Sequence, residues 1–192
     1  MTGRTLPRRY FEALYAADAD PWRFATSNYE KRKYARSLAA LARARYGAGL
    51  EIGCSIGVMT RHLAQRCETL LAVDIAEAPL MAARRRCAGM PSVRFDRMKV
   101  PGDWPSGPFD LIVLSEVVYY LDEEDVAFLA RRLEETLARA GDVLMVHWTG
   151  PTDYPLSGDR AAELLIERIA SFAQVLTQER TQNFRLDLLR RT

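Results

Sequence analysis

A short segment of this chain has the composition of a loop that holds a small charged molecule. In residues 50–52 the acid Glu51 lies between two apolar residues, and Gly53 and Gly57 follow this short run. Glycine has no Cβ, so both positions can adopt a positive φ and let the backbone approach a ligand. The carboxylate of Glu51 would repel a phosphate group, and the segment therefore favours a cationic ligand over the pyrophosphate of a dinucleotide.

Acidic residues also end the next two predicted strands. Residues 69–74 end in Asp74, and residues 92–96 end in Asp96. In open parallel sheets, ligands bind beyond the carboxyl ends of the strands. We therefore expect both carboxylates to lie at the same site as Glu51.

The order acid-x-Gly-x-small-x-Gly, followed by Val73 and Asp74, resembles the cofactor loop of class I S-adenosylmethionine-dependent methyltransferases. The resemblance implies that Glu51 and the loop glycines line the methionine side of S-adenosylmethionine and of its product, S-adenosylhomocysteine. It also implies that Asp74 binds the ribose hydroxyls and Asp96 the adenine amino group. Ser55 stands where the family usually has its middle glycine. The full set of expected cofactor contacts is Trp22, Glu51, Gly53, Cys54, Gly57, Asp74, Ile75, Asp96, Arg97 and Ser115.

Four further segments resemble one particular family of these methyltransferases. Residues 21–23, 29–32, 50–54 and 116–121 are similar to the rhizobial nodulation protein S family, over about residues 15–148. That family uses S-adenosylmethionine to methylate the amine of the deacetylated end sugar of a chito-oligosaccharide. The resemblance implies an N-methyltransferase whose acceptor is an amino sugar or a related amine.

Other functions remain open from the sequence. An O-methyltransferase of small molecules, or a cofactor-binding protein without transferase activity, would carry the same loop and strand-end acids. A nucleotide-dependent oxidoreductase is disfavoured by Glu51 and by the missing third glycine of the dinucleotide motif.

An amine must lose its proton before it can attack a methyl group, so a general base would be useful. Glu116 and His147 follow or end predicted strands and are the candidate catalytic residues. Each has a structural alternative, because Glu116 could cap a turn and His147 could be an ordinary sheet histidine. We expect substrate contacts from Tyr119, Tyr120 and Trp148, and we expect His62 to lie on the surface.

The elements that must position these residues form an α/β pattern. We predict a single Rossmann-like methyltransferase domain, in which residues 1–48 form N-terminal helices and a cofactor lid and residues 49–192 form the core. The expected strands are 50–52, 69–74, 92–96, 109–115, 142–147, 175–180 and 184–190, and the expected core helices are 58–65, 79–87, 122–139 and 159–172. The last two strands predict a hairpin at residues 181–183. The sheet should therefore be seven-stranded and mostly parallel, with an antiparallel last strand and helices on both faces.

The segment before the core contains two predicted helices joined by an aromatic loop. One helix covers residues 7–16, and the other begins at a capping box formed by Ser27 and Glu30 and runs to about residue 47 or 49. Trp22 and Phe24 lie in the loop between them. They could pack as a hydrophobic staple, or they could cover the cofactor, where aromatic rings would attract a sulfonium.

Composition limits the partners. The net charge is only +2, and no basic run alternates with aromatic residues, so we expect no nucleic-acid partner. The three cysteines, Cys54, Cys67 and Cys87, lack C-x-x-C spacing, which argues against disulfides and metal sites and favours a cytoplasmic location. No apolar run reaches membrane-spanning length, and residues 1–7 contain no signal-peptide core. A small-molecule acceptor is the expected partner.

Overall fold

The computed structural model describes residues 3–192. Met1 and Thr2 lie outside the described residues; both belong to the predicted lid region and to residues 1–7, in which no signal-peptide core is predicted. The helices are α1 (Arg8–Ala17), α2 (Asn28–Ala40), α3 (Val58–Leu63), α4 (Glu77–Arg86), α5 (Glu123–Thr136) and α6 (Gly158–Ile169). The strands are β1 (Tyr46–Ile52), β2 (Cys67–Asp74), β3 (Val93–Arg97), β4 (Phe109–Ser115), β5 (Leu137–Trp148), β6 (Ala173–Arg180) and β7 (Phe184–Arg191). A 3-10 turn covers Val118–Tyr120.

The strands form one sheet in the order β3-β2-β1-β4-β5-β7-β6. Strands β1 to β5 pair in parallel, whereas β7 runs antiparallel to both β5 and β6. The turn between β6 and β7 is closed by the Thr181 hydroxyl, which accepts a hydrogen bond from the Phe184 backbone N–H at 3.0 Å. This arrangement confirms the predicted sheet and its hairpin ending.

The two faces of the sheet are covered by different helices. Because side chains alternate along a strand, Leu50 and Ile112 lie in one core with apolar residues of α1, α5 and α6. Leu111 and Val113 lie in the other core with apolar residues of α2 and α3. Helices therefore cover both faces, as predicted, and the strand ends stay open along the edge where the loops gather.

The predicted boundary between lid and core, at residues 48 and 49, was wrong because it falls inside β1. Helix α2 ends at Ala40, and β1 already begins at Tyr46, which is paired with Cys67 of β2. Gly49 is a strand residue and not a helix end. A Cβ at Gly49 would lie 2.7 Å from the Cys67 Sγ, so the glycine allows two strands to pack around a buried thiol.

The end of α5 also differs from the prediction. The apolar Leu137 was assigned to the helical face, but it pairs with Phe109 and opens β5. The pairing then shifts register before Leu111 and Asp142, and Ala140 in this irregular stretch has a φ of +53°. Gly141 therefore lies in a strand irregularity and does not terminate the helix. Among residues 3–192, no helix has the length and apolar character needed to cross a membrane.

Candidate functional site

Two neighbouring cavities lie at the carboxyl ends of the strands. The first, with about 980 Å³ of space that includes open solvent, is lined by the β1 loop, by the ends of β2 and β4 and by the N-terminal segment. The second, with about 860 Å³, is lined by α2, by the turn after β4 and by the loop after β5. Trp22, Phe24, Glu116 and Tyr120 line both cavities, so the two spaces meet at these four side chains.

The loop after β1 is shaped by its glycines. Gly53 and Gly57 both have a φ of +78°, which side chains rarely adopt. A Cβ at Gly53 would lie 2.4 Å from Val117, so this glycine lets the loop pass beside the β4 turn. Gly57 does not line the cavity, and a Cβ there would lie 2.8 Å from the Ala83 Cβ. Gly57 therefore allows the loop to pack closely on α4, and its predicted contact with the cofactor stays a prediction.

Ser55 occupies the position of the family's middle glycine and is held by the N-terminal region. Its φ is +48°, and its hydroxyl lies 2.5 Å from the hydroxyl of Tyr15 in α1. Both residues line the first cavity. The serine thus joins the cofactor loop to the helix that lies over it.

Asp74 lies beside this loop at the end of β2. Its carboxylate accepts hydrogen bonds from the backbone N–H groups of Ser55 and Ala76, each at 3.0 Å. Burial raises the pKa of Asp74 to about 6. The carboxylate is fixed in place and faces the first cavity.

Glu51 is a buried acid in the wall of the first cavity. The residue is only 1% exposed and lines the first cavity, with the Thr60 hydroxyl beside it and no cationic side chain paired with it within residues 3–192. Burial raises the pKa of Glu51 to about 7. A buried carboxylate without a cationic partner is costly, and a cationic group placed in the cavity would compensate its charge.

The roof of both cavities is the loop between α1 and α2. The Asp20 carboxylate accepts hydrogen bonds from the backbone N–H groups of Phe24 and Ala25, at 2.8 and 2.9 Å, which fixes the loop. The rings of Trp22 and Phe24 stack with centroids 5.5 Å apart, and Tyr15 meets Trp22 edge-on at 5.7 Å. Trp22 therefore lines both cavities, and its role as a lid over the cofactor stays a prediction.

The second cavity combines aromatic walls with a cluster of charges. The aromatic residues that line it are Trp22, Phe24, Tyr29, Tyr119, Tyr120, Trp148 and Tyr154. The charged residues that line it are Glu30, Lys33 and Glu116. Two carboxylates and one ammonium group give the second cavity a net negative charge when both carboxylates are ionised.

Lys33 connects the two acids. Its ammonium group donates to Glu116 and to the Glu30 Oε1, the latter at 3.0 Å, and the lysine side chain is only 2% exposed. The other Glu116 oxygen accepts from the Tyr119 hydroxyl at 2.7 Å and from the Trp148 backbone N–H at 2.8 Å. Burial alone would raise the pKa of Glu116, but the charge and hydrogen bond of Lys33 hold it below its usual value. Glu116 is therefore an ionised, fully bonded carboxylate.

Sequence reasoning missed Lys33, and it misjudged Glu30. The capping box is only half formed, because the Ser27 hydroxyl accepts from the Glu30 N–H while the Ser27 N–H donates to the Arg23 carbonyl. The Glu30 side chain instead lines the second cavity with Lys33. A pattern that could have found the pair is the buried helical face shared by Glu30, Lys33 and Ser37.

Most of the expected cofactor contacts lie together. Those that line the first cavity are Trp22, Glu51, Gly53, Cys54, Asp74, Ile75 and Ser115. Asp96 and Arg97 do not line it, because both are exposed at the end of β3, where Asp96 accepts a hydrogen bond from the Arg97 N–H. The next residues, Met98, Lys99 and Val100, line the cavity instead.

The expected acceptor residues divide in the same way. Tyr119, Tyr120 and Trp148 line the second cavity. His147 is fully buried and lines neither cavity, and its Nε2 accepts a hydrogen bond from the Val118 N–H at 3.3 Å. Burial lowers the pKa of His147 to about 4. This placement does not fit a base that contacts an acceptor, whereas His62 is exposed as expected.

Comparison with known proteins is consistent with this geometry. The sequence profile of Nodulation protein S (NodS) matches residues 10–145, which is more than half of the chain. Nodulation protein S of Bradyrhizobium diazoefficiens is 35% identical over 121 residues, which cover 62% of this chain and 58% of that protein. The chain therefore spans little more than half the length of this relative.

Two solved structures have similar folds. A Pseudomonas syringae protein described as a presumed methyltransferase is 39% identical, with a TM-score of 0.75 over 85% of this chain and 99% of the other. N-methyltransferase NodS from Bradyrhizobium japonicum WM9, in complex with S-adenosylhomocysteine, is 23% identical, with a TM-score of 0.83 over 96% of this chain and 97% of the other. The fold is that of the class I S-adenosylmethionine-dependent methyltransferases.

The burial of Glu51 predicts an effect on stability. Its pKa rises from 4.5 to about 7 on folding, so between these pH values the unfolded chain ionises while the folded chain holds the proton. This group therefore makes the ligand-free protein less stable as pH rises through that window. We expect Glu51→Gln to raise the melting temperature at pH 8 by several degrees, because about 1 kcal/mol corresponds to about 2–4 °C in a chain of this size.

Thermal unfolding of both proteins at pH 4.5 and pH 8 measures this effect. The difference between the two proteins should shrink at the lower pH, where Glu51 is neutral in the folded protein and only about half ionised in the unfolded chain. A variant that melts below the wild type at pH 8 would show that the Glu51 carboxylate is already compensated.

Proposed function

The chain belongs to the nodulation protein S family, and from this premise we propose that it is an S-adenosylmethionine-dependent methyltransferase that methylates the amine of a small molecule, namely an amino sugar. The observation that carries the proposal is the buried carboxylate of Glu51, which has no cationic partner within residues 3–192 and lines a cavity that meets an aromatic and acidic second cavity at Glu116. The first cavity suits the cofactor, and the second cavity suits the acceptor.

The residues of the first cavity fit the cofactor. Glu51 offers a buried carboxylate to the cofactor's amino group, and Gly53, which also lines the cavity, has no side chain to obstruct the chain that carries this group. Asp74 offers carboxylate oxygens to the ribose hydroxyls, while Met98 and Val100 provide apolar surface for the adenine. S-adenosylmethionine supplies, when bound, an electrophilic methyl group on a positively charged sulfur.

The residues of the second cavity fit an amine attached to a ring. Aromatic faces attract cations and pack against the apolar faces of sugars, and Tyr29 already lies 5.3 Å from the Lys33 ammonium. Glu30 and Glu116 add negative charge that would favour a protonated amine over a neutral hydroxyl. This charge favours N-methylation over O-methylation.

The roof contributes by orientation and by exclusion of water. Trp22 and Phe24 line both cavities and lie over their junction, where a methyl group would pass from one space to the other. Holding two reactants in an attacking geometry can supply about 7–11 kcal/mol of the rate enhancement. We propose that this positioning is the main contribution of the chain to catalysis.

The pKa of Glu51 makes cofactor affinity depend on pH. The amino group of the ligand needs the ionised carboxylate, but free Glu51 is largely protonated below about pH 7. Binding should therefore release a proton, and S-adenosylhomocysteine should bind about tenfold more tightly at pH 8 than at pH 6.

Calorimetric titration with S-adenosylhomocysteine in two buffers of unlike ionisation enthalpy measures both the affinity and the released proton. Glu51→Gln should bind more weakly and should lose most of the pH dependence. Glu68→Gln, an exposed acid on β2, is the matched control. Affinity that is equal at both pH values in the wild type would remove Glu51 from the cofactor site.

The acceptor is tested by transfer of a labelled methyl group from S-adenosylmethionine to glucosamine, N-acetylglucosamine and a phenol. Glucosamine and N-acetylglucosamine share a ring but differ in the amine, which the acetyl group makes unreactive. We expect label in glucosamine alone. Label in N-acetylglucosamine or the phenol would indicate O-methylation and would contradict the proposed amine acceptor.

A further inference from the structure

The two acids of the second cavity have unlike surroundings. Glu116 is saturated, since its oxygens accept from the Lys33 ammonium, the Tyr119 hydroxyl and the Trp148 backbone N–H. Glu30 has fewer donors, because the Lys33 ammonium lies 3.0 Å from each of its oxygens and the Tyr34 hydroxyl is its other hydrogen-bonding neighbour. A carboxylate with many donors resists protonation, because the donors stabilise its charged form.

We propose, on the basis of the function proposed above, that Glu30 takes the proton of the acceptor amine and that Lys33 is a positioning residue that keeps Glu116 ionised beside it. Glu30 is thus the catalytic base, while Glu116 holds the acceptor's positive charge at the junction of the cavities. His147 takes no part in proton transfer because it lines neither cavity.

The charges around Glu30 support this division. The titratable groups that face it are Tyr29, Lys33 and Tyr34 from α2 and Glu116 from the loop after β4. Burial raises the pKa of Glu30 above its usual value despite the neighbouring Lys33 ammonium. The pKa of Glu116 moves in the opposite direction. Two carboxylates with pKa values pushed apart commonly divide the proton-carrying and charge-stabilising roles.

The proposed step is balanced as follows. The protonated amine passes one proton to a Glu30 oxygen, which leaves a neutral carboxyl group and a free electron pair on nitrogen. The nitrogen forms a bond to the methyl carbon while the bond from methyl to sulfur breaks, and that electron pair stays on sulfur. The product ammonium keeps its remaining protons and the positive charge. Glu30 then releases its proton to solvent, so one proton leaves for each methyl group transferred.

The half-formed capping box leaves the Glu30 side chain free for this role. The backbone N–H of Ser27, which a full capping box would bond to Glu30, donates to the Arg23 carbonyl at 2.9 Å. The loop that holds the roof over the cavities therefore also frees the acid at the start of α2.

The first test needs no acceptor. Carbon NMR of protein that contains labelled glutamate follows each carboxyl through a pH titration, with Glu30→Gln and Glu116→Gln identifying the two resonances. We expect Glu30 to titrate above 4.5 and Glu116 below it, and we expect Lys33→Met to raise the pKa of Glu116. The reverse order of the two acids would overturn the inference, whatever the activity of the protein.

The second test measures kcat/KM for glucosamine against pH. A base contributes about 10²–10⁴-fold, so Glu30→Gln should lose at least about 100-fold at pH 7. The loss should shrink at high pH, where the amine arrives neutral. Equal loss at every pH, or a loss below about tenfold at pH 7, would contradict a base at Glu30. If Glu30→Gln does not fold, Glu30→Asp retains a carboxyl and should shift the acid limb of the profile.

Matched controls separate local from general effects. Lys31→Met, on the exposed face of α2, controls for Lys33→Met, and Glu68→Gln controls for Glu30→Gln. Binding of S-adenosylhomocysteine should stay within a few-fold in Glu30→Gln, because Glu30 does not line the first cavity. A wild type that methylates no amine would contradict the proposed function, whereas an active wild type with an active Glu30→Gln would contradict only the role of Glu30.

Discussion

The shape of both cavities depends on the hydrogen bonds and the ion pair of the Glu116 carboxylate. It binds Lys33 of α2, the hydroxyl of Tyr119 and the backbone of β5 at Trp148, so it joins the N-terminal helices to two strand ends. The residue adopts a φ of +59°, a strained conformation that its three hydrogen bonds hold in place. Removing one partner of a buried ion pair costs about 3–5 kcal/mol. Loss of Lys33 would therefore disturb the walls of the second cavity together with the charge.

At the loop after β1, buried carboxylates lower the stability of the ligand-free protein at the positions that we propose bind the cofactor. Glu51 and Asp74 are buried carboxylates whose pKa values are raised to about 7 and about 6, so neither is stabilised by a cation in the ligand-free protein. The hydrogen bond between the hydroxyls of Tyr15 and Ser55 offsets part of this cost, because it fixes the loop under α1. Such preorganisation places the unfavourable charge where a ligand can relieve it.

Much of the fold was predictable because it follows from local patterns. Apolar runs, glycines and turn residues predicted seven strands, the helices on both faces and the antiparallel last strand, and the loop from Glu51 to Gly57 marked the site. The differences between sequence and structure concern side-chain direction and burial, which depend on neighbours distant in sequence. Asp74 ends β2 and Asp96 lies one residue before the end of the adjacent β3, yet only Asp74 lines the cavity. Lys33 is an ordinary helical lysine in sequence, and only the fold brings Glu116 to it.

The most direct measurement of the central claim is a crystal structure of the protein with S-adenosylhomocysteine. We expect the ligand's amino group within hydrogen-bonding distance of Glu51, its ribose at Asp74, and its sulfur at the junction lined by Trp22, Phe24, Glu116 and Tyr120. This placement would aim a methyl group from the first cavity into the second. A ligand bound in the second cavity, or one whose sulfur faces away from that junction, would contradict the assignment of the two cavities.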